Sequence, residues 1–150
     1  MSWSDRLTEL GVALPPVATP AGVYLPAVRS GSLVFTAGQI PLVDGELAAT
    51  GKLGAEIDTE LGAQLARICV LNALAAVDGL VGLDAVRRVV KVVGFVASAP
   101  GFTAQPAVLN GASALLGAVF GAAGAHARSA VGVAELPLGA PVEVELIVEV

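Results

Sequence analysis

The chain has 150 residues, enough for one domain with a substantial core. Its net charge of −5, with eight scattered basic residues, lacks the basic footprint of a nucleic-acid binder, and one cysteine and one histidine rule out an internal disulfide and a cysteine-built zinc site. Hydrophobic residues make up 55% and charged residues 14%, too few charges to cover a lone globule, so part of the surface is expected to be hidden in a homo-oligomer.

The opening "MSWSDRLTEL" predicts a short helix; it carries Asp5 and Glu9 and no apolar run, so no signal peptide is expected and a cytoplasmic location follows by default. "LPPVATPAG" should be irregular, because each proline removes a donor. Strand-like runs at 23–27 and 33–37 flank "VRSGS", a hairpin turn, and "GQIPLVDGELAATGKLG" reads as loop with "DG" as its turn. Residues 56–77 predict a helix with Leu61, Leu65, Ile68 and Ala75 on its apolar face, stopped at Asp78-Gly79 or Gly82. "VRRVVKVVGFVAS" (86–98) is β-branched throughout, as for a central strand buried on both faces. A second helix follows within "PGFTAQPAVLNGASALLGAVFGAAG". Its uncharged stretch 107–125 is long enough to span a membrane, but Asn110, Ser113 and four glycines favour a buried helix. Strands at 128–136 and 141–149 end the chain.

The order β-β-α-β-α-β-β predicts an α+β domain, one mixed sheet with both helices on one face. Alternation puts Val142, Val144, Leu146 and Val148 on the core side and Glu143, Glu145 and Ile147 opposite. Matching the apolar sides places Arg128, with Ala130, Gly132 and Ala134, on the same non-helical face as Glu143, and those small residues invite a second chain. An antiparallel arrangement offsets the two charges by six residues, roughly 20 Å at ~3.3 Å each, so they can meet only between chains. Arg128 reads either as a rim or interface ion-pair residue or as a two-pronged clamp for a carboxylate. Glu143 reads either as one side of a half-solvated strand or as a carboxylate able to deprotonate water.

"TAGQIP" (36–41) and "ARSAVGVAELPLGAPVEVELI" (127–147), with "VVKVVGFVAS" between them, resemble the RidA/YjgF family of enamine/imine deaminases. The resemblance covers residues 22–150, leaving 1–21 as an N-terminal extension of a single domain. It implies a chorismate-mutase-like fold and a homotrimer whose sheets face inward, with three clefts between subunits. It further implies hydrolysis of a reactive 2-imino acid to a 2-keto acid and ammonia, with no metal and no cofactor. Arg128 matches the arginine that binds the substrate carboxylate, Glu143 the glutamate that places water, and Tyr24 a cleft-lining tyrosine. Gly38 matches a glycine near bound ligands, Ala37 a position that is often serine, and Asn110 an asparagine on the second helix. Ala130 stands where the family frequently has cysteine and Gly132 where many members have glutamate, so the chain reads as a divergent branch.

Other readings stay open. Tyr24 and Gly38 also suit packing and a turn, His126 is a rim residue or a ligand contact, and Cys69 is a buried, inert thiol. Against the deaminase stands a non-catalytic regulatory protein that binds small carboxylates on the same fold. RNA cleavage, known in some family members, conflicts with the acidic charge, and neither nucleic acid nor membrane is expected as a partner.

Overall fold

The computed structural model describes residues 1–150. In chain order it contains α1 (Trp3–Glu9), β1 (Ala27–Ser30), β2 (Leu33–Thr36), β3 (Leu42–Val43), β4 (Glu46–Leu47), α2 (Thr59–Val81), β5 (Arg88–Ala97), α3 (Gln105–Phe120), β6 (Ala127–Val133) and β7 (Val142–Glu149). A five-stranded sheet has the order β1-β2-β7-β5-β6, and only the β5–β6 pair is parallel. Helices α2 and α3 pack on each other and on one face of it.

The strands start and stop where donors run out. The first strand begins at Ala27 rather than Val23, because Pro26 has no N–H to pair; its carbonyl accepts instead from Ala37 N–H at 2.8 Å. "DG" does turn the chain: Asp44 and Gly45 both adopt positive φ (52° and 82°), joining β3 and β4 as a small hairpin. Helix α2 begins three residues later than expected, at Thr59, since the Asp58 carboxylate caps Leu61 N–H at 2.8 Å. It runs past Gly79 to Gly82, whose φ of 82° ends it. Its buried face is Leu65, Ala66, Cys69, Ala73, Ala76 and Val77, whereas Leu61 lies on the exposed side.

Val142, Val144, Leu146 and Val148 form the core side of β7, as the alternation predicts. Strand β5 buries Val89, Val92 and Val96 against the helices, but Val93 and Phe95 on its other face are only half-buried within the chain, because both helices lie on one side. That open face carries Val28, Phe35, Val93, Phe95, Val131 and Ile147 beside its glutamates, with Val28, Phe35 and Val131 exposed. The open face is thus apolar, though through different residues from those expected. Helix α3 owes its close seat on α2 to Gly111, where a Cβ would run into the Ala63 carbonyl. The two helices long and apolar enough to cross a membrane are the core helices of this fold.

The extension is docked. Ser2 and Asp5 cap α1 reciprocally, Trp3 Nε1–H donates to Val86 O at 2.8 Å, and the indole meets Phe120 edge-on at 5.2 Å.

Candidate functional site

Two clusters of polar side chains form, and they lie on opposite faces of the sheet. The first is built by an irregularity between β2 and β7. Regular pairing ends at Phe35 opposite Ile147 and resumes at Gln39, whose N–H and carbonyl exchange 2.9 Å bonds with Val144. Four residue steps on one side oppose three on the other, which is a bulge. The Leu146 N–H left over by the mismatch donates to Thr36 Oγ1 at 2.9 Å, so a side chain takes the place of a missing carbonyl. The slack lays Gly38 flat on Glu143: a Cβ there would stand 2.8 Å from Glu143 Cδ and overlap the carboxylate oxygen. Glycine is required here for close approach, since its φ is not in the left-handed region.

Tyr24, Gly38 and Glu143 share a small open cavity of about 80 Å³ with Pro26, Gln39 and Pro137. Burial pushes the half-buried Glu143 carboxyl above its ordinary value of 4.5, and the neighbouring Glu145 adds to the shift. No side chain or N–H of the chain bonds this carboxylate, and no cation pairs with it. The Tyr24 hydroxyl accepts weakly from Ala21 N–H at 3.3 Å. Ala37 lies beside Gly38 but does not wall the cavity.

The second cluster surrounds Arg128 at the start of β6. Its Nη1 donates to Asn110 Oδ1 at 2.9 Å and to Ser113 Oγ at 3.1 Å, and its Nη2 to Pro106 O at 3.3 Å. Ser113 Oγ also meets His126 Nε2 at 2.9 Å, while His126 Nδ1 lies 2.6 Å from Gly124 O. A carbonyl can only accept, so Nδ1 carries a proton, and in the neutral tautomer this selects, Nε2 accepts the Ser113 hydroxyl. The chain of bonds from Arg128 through Ser113 to His126 therefore runs in one direction and holds the guanidinium still. Three of the five guanidinium donors are occupied; the remaining two are enough for a carboxylate. Arg128 forms no ion pair within the chain.

This geometry corrects the expected placement of Arg128. In register, Arg128 stands opposite Val92 and Ala130 opposite Gly94, and Val92 and Gly94 face the helices. Arg128 therefore points toward α3, not toward the open face that carries Glu143. Ala130 is packed against the core, partly buried, rather than offered to a second chain. The alternation holds but its two sides are reversed, because Ser129, Val131 and Val133 make the open face of β6 the more apolar one. The separation is also smaller than expected. Glu143 sits opposite Phe95, three positions along from Val92, so the backbones are about 10 Å apart along the strands and two ~4.8 Å spacings across, roughly 14 Å in all. Within one chain the sheet still stands between the two groups.

Two contributors were not singled out from the sequence. Ser113 follows Asn110 by three positions and so shares its helix face, a spacing that could have paired them. The Thr36 hydroxyl had no such signal, since its partner is 110 residues away. Cys69 is buried as expected; burial raises its thiol well above the ordinary value, and its weak Sγ contact is to Val142 O.

The family model described as Endoribonuclease L-PSP matches residues 16–150. The chain belongs to that family. It is the RidA/YjgF family that the two motifs resemble. Among its relatives, protein TCP17 of Trypanosoma cruzi is 47% identical over 146 residues, 96% of this chain and 91% of TCP17. The crystal structure of Atu1372 from Agrobacterium tumefaciens, a protein of unknown function, is 42% identical with a TM-score of 0.89 and covers 99% of this chain and 92% of its own. E. coli TdcF, solved with bound serine, is 28% identical with a TM-score of 0.66, covering 89% of this chain and 93% of TdcF. The family fold is the mixed α+β domain seen here, and the family's description is that of an enzyme. Helix α1 lies ahead of the matched residues.

Proposed function

We propose that the chain acts as a homotrimer that hydrolyses reactive 2-imino acids to 2-keto acids and ammonia in clefts between subunits. The observation that carries this reading is that each chain holds two finished but unpaired half-sites: a carboxylate with no counter-charge and an arginine with no carboxylate. Packing the apolar open faces inward around a threefold axis would bury Phe35, Val131 and their neighbours. It would also bring the Arg128 edge of one subunit to the Glu143 cavity of the next.

In that cleft the Arg128 fork binds the substrate carboxylate, with Asn110 and Ser113 fixing its direction. Glu143, its basicity raised by burial, takes a proton from water as the oxygen attacks the imine carbon. That proton passes on to nitrogen to give a carbinolamine; Glu143 then takes the proton of the new hydroxyl and delivers it to the same nitrogen as the C–N bond breaks, so ammonia leaves as the carbonyl forms. Tyr24 and the Gly38 backbone line the space beside the reacting carbon. Every step uses side chains of this protein and water. A relative described with bound serine supports a small, carboxylate-bearing ligand for this family member.

The test supplies imines in situ from a threonine dehydratase and follows keto-acid release. The expected outcome is acceleration over buffer that Glu143→Gln cuts by about 100-fold, within the range for removing a positioned acid–base group, and that Arg128→Ala cuts by a similar ~100-fold through loss of substrate positioning. No acceleration by the wild type would overturn it. Binding of a keto acid without turnover would favour a carboxylate-binding regulatory protein, which the unpaired, caged Arg128 would serve equally well. Sedimentation checks the assembly independently: a monomer would leave each half-site without its complement.

A further inference from the structure

A second cavity adjoins the Glu143 pocket, sharing Ala18, Thr19 and Leu42 with it but containing neither Glu143, Tyr24 nor Gly38. Residues 12–20 cross the outside of α2 without helix or strand. They sit close: a Cβ on Gly79 would lie 3.0 Å from Val17 Cγ2. Between this segment, the β3–β4 hairpin and α2 lies a groove of about 620 Å³, well inside the ~300–1,000 Å³ typical of small-molecule sites. Its walls are mostly apolar, with Leu14, Pro15, Val17, Ile68 and Leu71 prominent, and its one charged member is Asp44 at the hairpin tip.

One buried polar group is turned into it. Asn72, only 3% exposed, donates both amide hydrogens to the protein, to Ile40 O at 3.2 Å and Leu42 O at 3.1 Å. Those two carbonyls fix which end of the amide is nitrogen. Its Oδ1 accepts nothing from the chain, yet no fully buried polar side-chain atom here lacks a partner. The oxygen therefore keeps access to open space, and the groove is the cavity that Asn72 lines. A nearly buried acceptor held rigidly at the wall of an apolar groove discriminates for a donor, because a ligand without one strips its water and returns nothing.

We infer that this groove is a second small-molecule site, taking a neutral, elongated apolar molecule whose N–H or O–H donates to Asn72 Oδ1. An anion is disfavoured by Asp44 and by the want of any cation in the walls. The ligand class therefore differs from the carboxylate-bearing substrate proposed for Arg128.

Titration calorimetry on the full chain with hexanamide, N,N-dimethylhexanamide and hexanoate tests it. Hexanamide should bind at least about fivefold more tightly than its dimethyl counterpart, the worth of one net hydrogen bond, and hexanoate should bind most weakly. Val17→Trp, on an exposed wall position, should fill the groove and weaken hexanamide by about tenfold or more. Asn72→Leu should erase the preference between the two amides; if that variant does not fold, the wild-type amide pair and Val17→Trp decide the matter alone. Equal affinity for the two amides, hexanamide binding indifferent to Val17→Trp, or no hexanamide binding at its solubility limit would each overturn the assignment. None of these readouts depends on imine turnover.

Discussion

Replacing Gly38 with alanine isolates the contact on which the carboxylate half-site rests. The new Cβ would stand 2.8 Å from Glu143 Cδ and 3.1 Å from Cγ, where carbon pairs prefer about 3.5–4.0 Å. The overlap falls on the end of a flexible side chain, so Glu143 can swing away at an off-rotamer cost of about 0.5–1.5 kcal/mol. Stability should therefore fall by only about 1 kcal/mol. Imine turnover should fall far more, by about 100-fold, because a displacement near 1 Å at a reacting group costs that much. The decisive assay is urea denaturation of Gly38→Ala, Glu143→Ala and the double variant. Glu143→Ala removes Oε1, Cδ and Cγ, the three atoms that crowd the new Cβ most closely, so the stability cost of the alanine should fall to within about 0.5 kcal/mol. An equal cost in both backgrounds would refute the claim that the carboxylate occupies the missing Cβ position.

Two more variants probe the same half-site. Glu143 has a carboxyl raised above 4.5 by burial, so the folded state holds its proton more tightly than the unfolded chain does. Stability contributed by the protonated form is present below the unfolded value and is lost as pH rises through the raised folded value. Glu143→Gln should thus raise Tm at pH 7 relative to wild type and show no such gain near pH 3.5; a variant less stable than wild type at pH 7 would contradict it. Thr36→Val removes the acceptor for the buried Leu146 N–H and should cost about 1–3 kcal/mol in denaturant unfolding, with turnover falling as Gly38 shifts; an unchanged midpoint would show that the N–H finds another partner.

Much of this protein was legible in its chain order and periodicity. Alternation along β7 separates four core residues from the glutamates because a strand has a period of two and its inner face must be apolar. "DG" turns because two successive positive-φ residues are needed there, and Gly82 ends α2 for a related reason. The motifs of the RidA/YjgF resemblance, a family membership shown over 16–150, contain both Arg128 and Glu143. Tertiary structure alone decided which way Arg128 points. Period two says that Arg128, Ala130 and Gly132 share a side, but the more apolar side of β6, with Val131 and Val133, is the one turned away from the helices, so hydrophobicity alone selects the wrong face. The choice comes from parallel register with β5, which sets Arg128 beside the buried Val92 and beneath Asn110 and Ser113. The bulge that seats Gly38 on Glu143, and the packing of the extension that opens a groove beside Asn72, are likewise contacts between distant segments. Local sequence sets periods and turns; register and packing set which side of the sheet each charge faces.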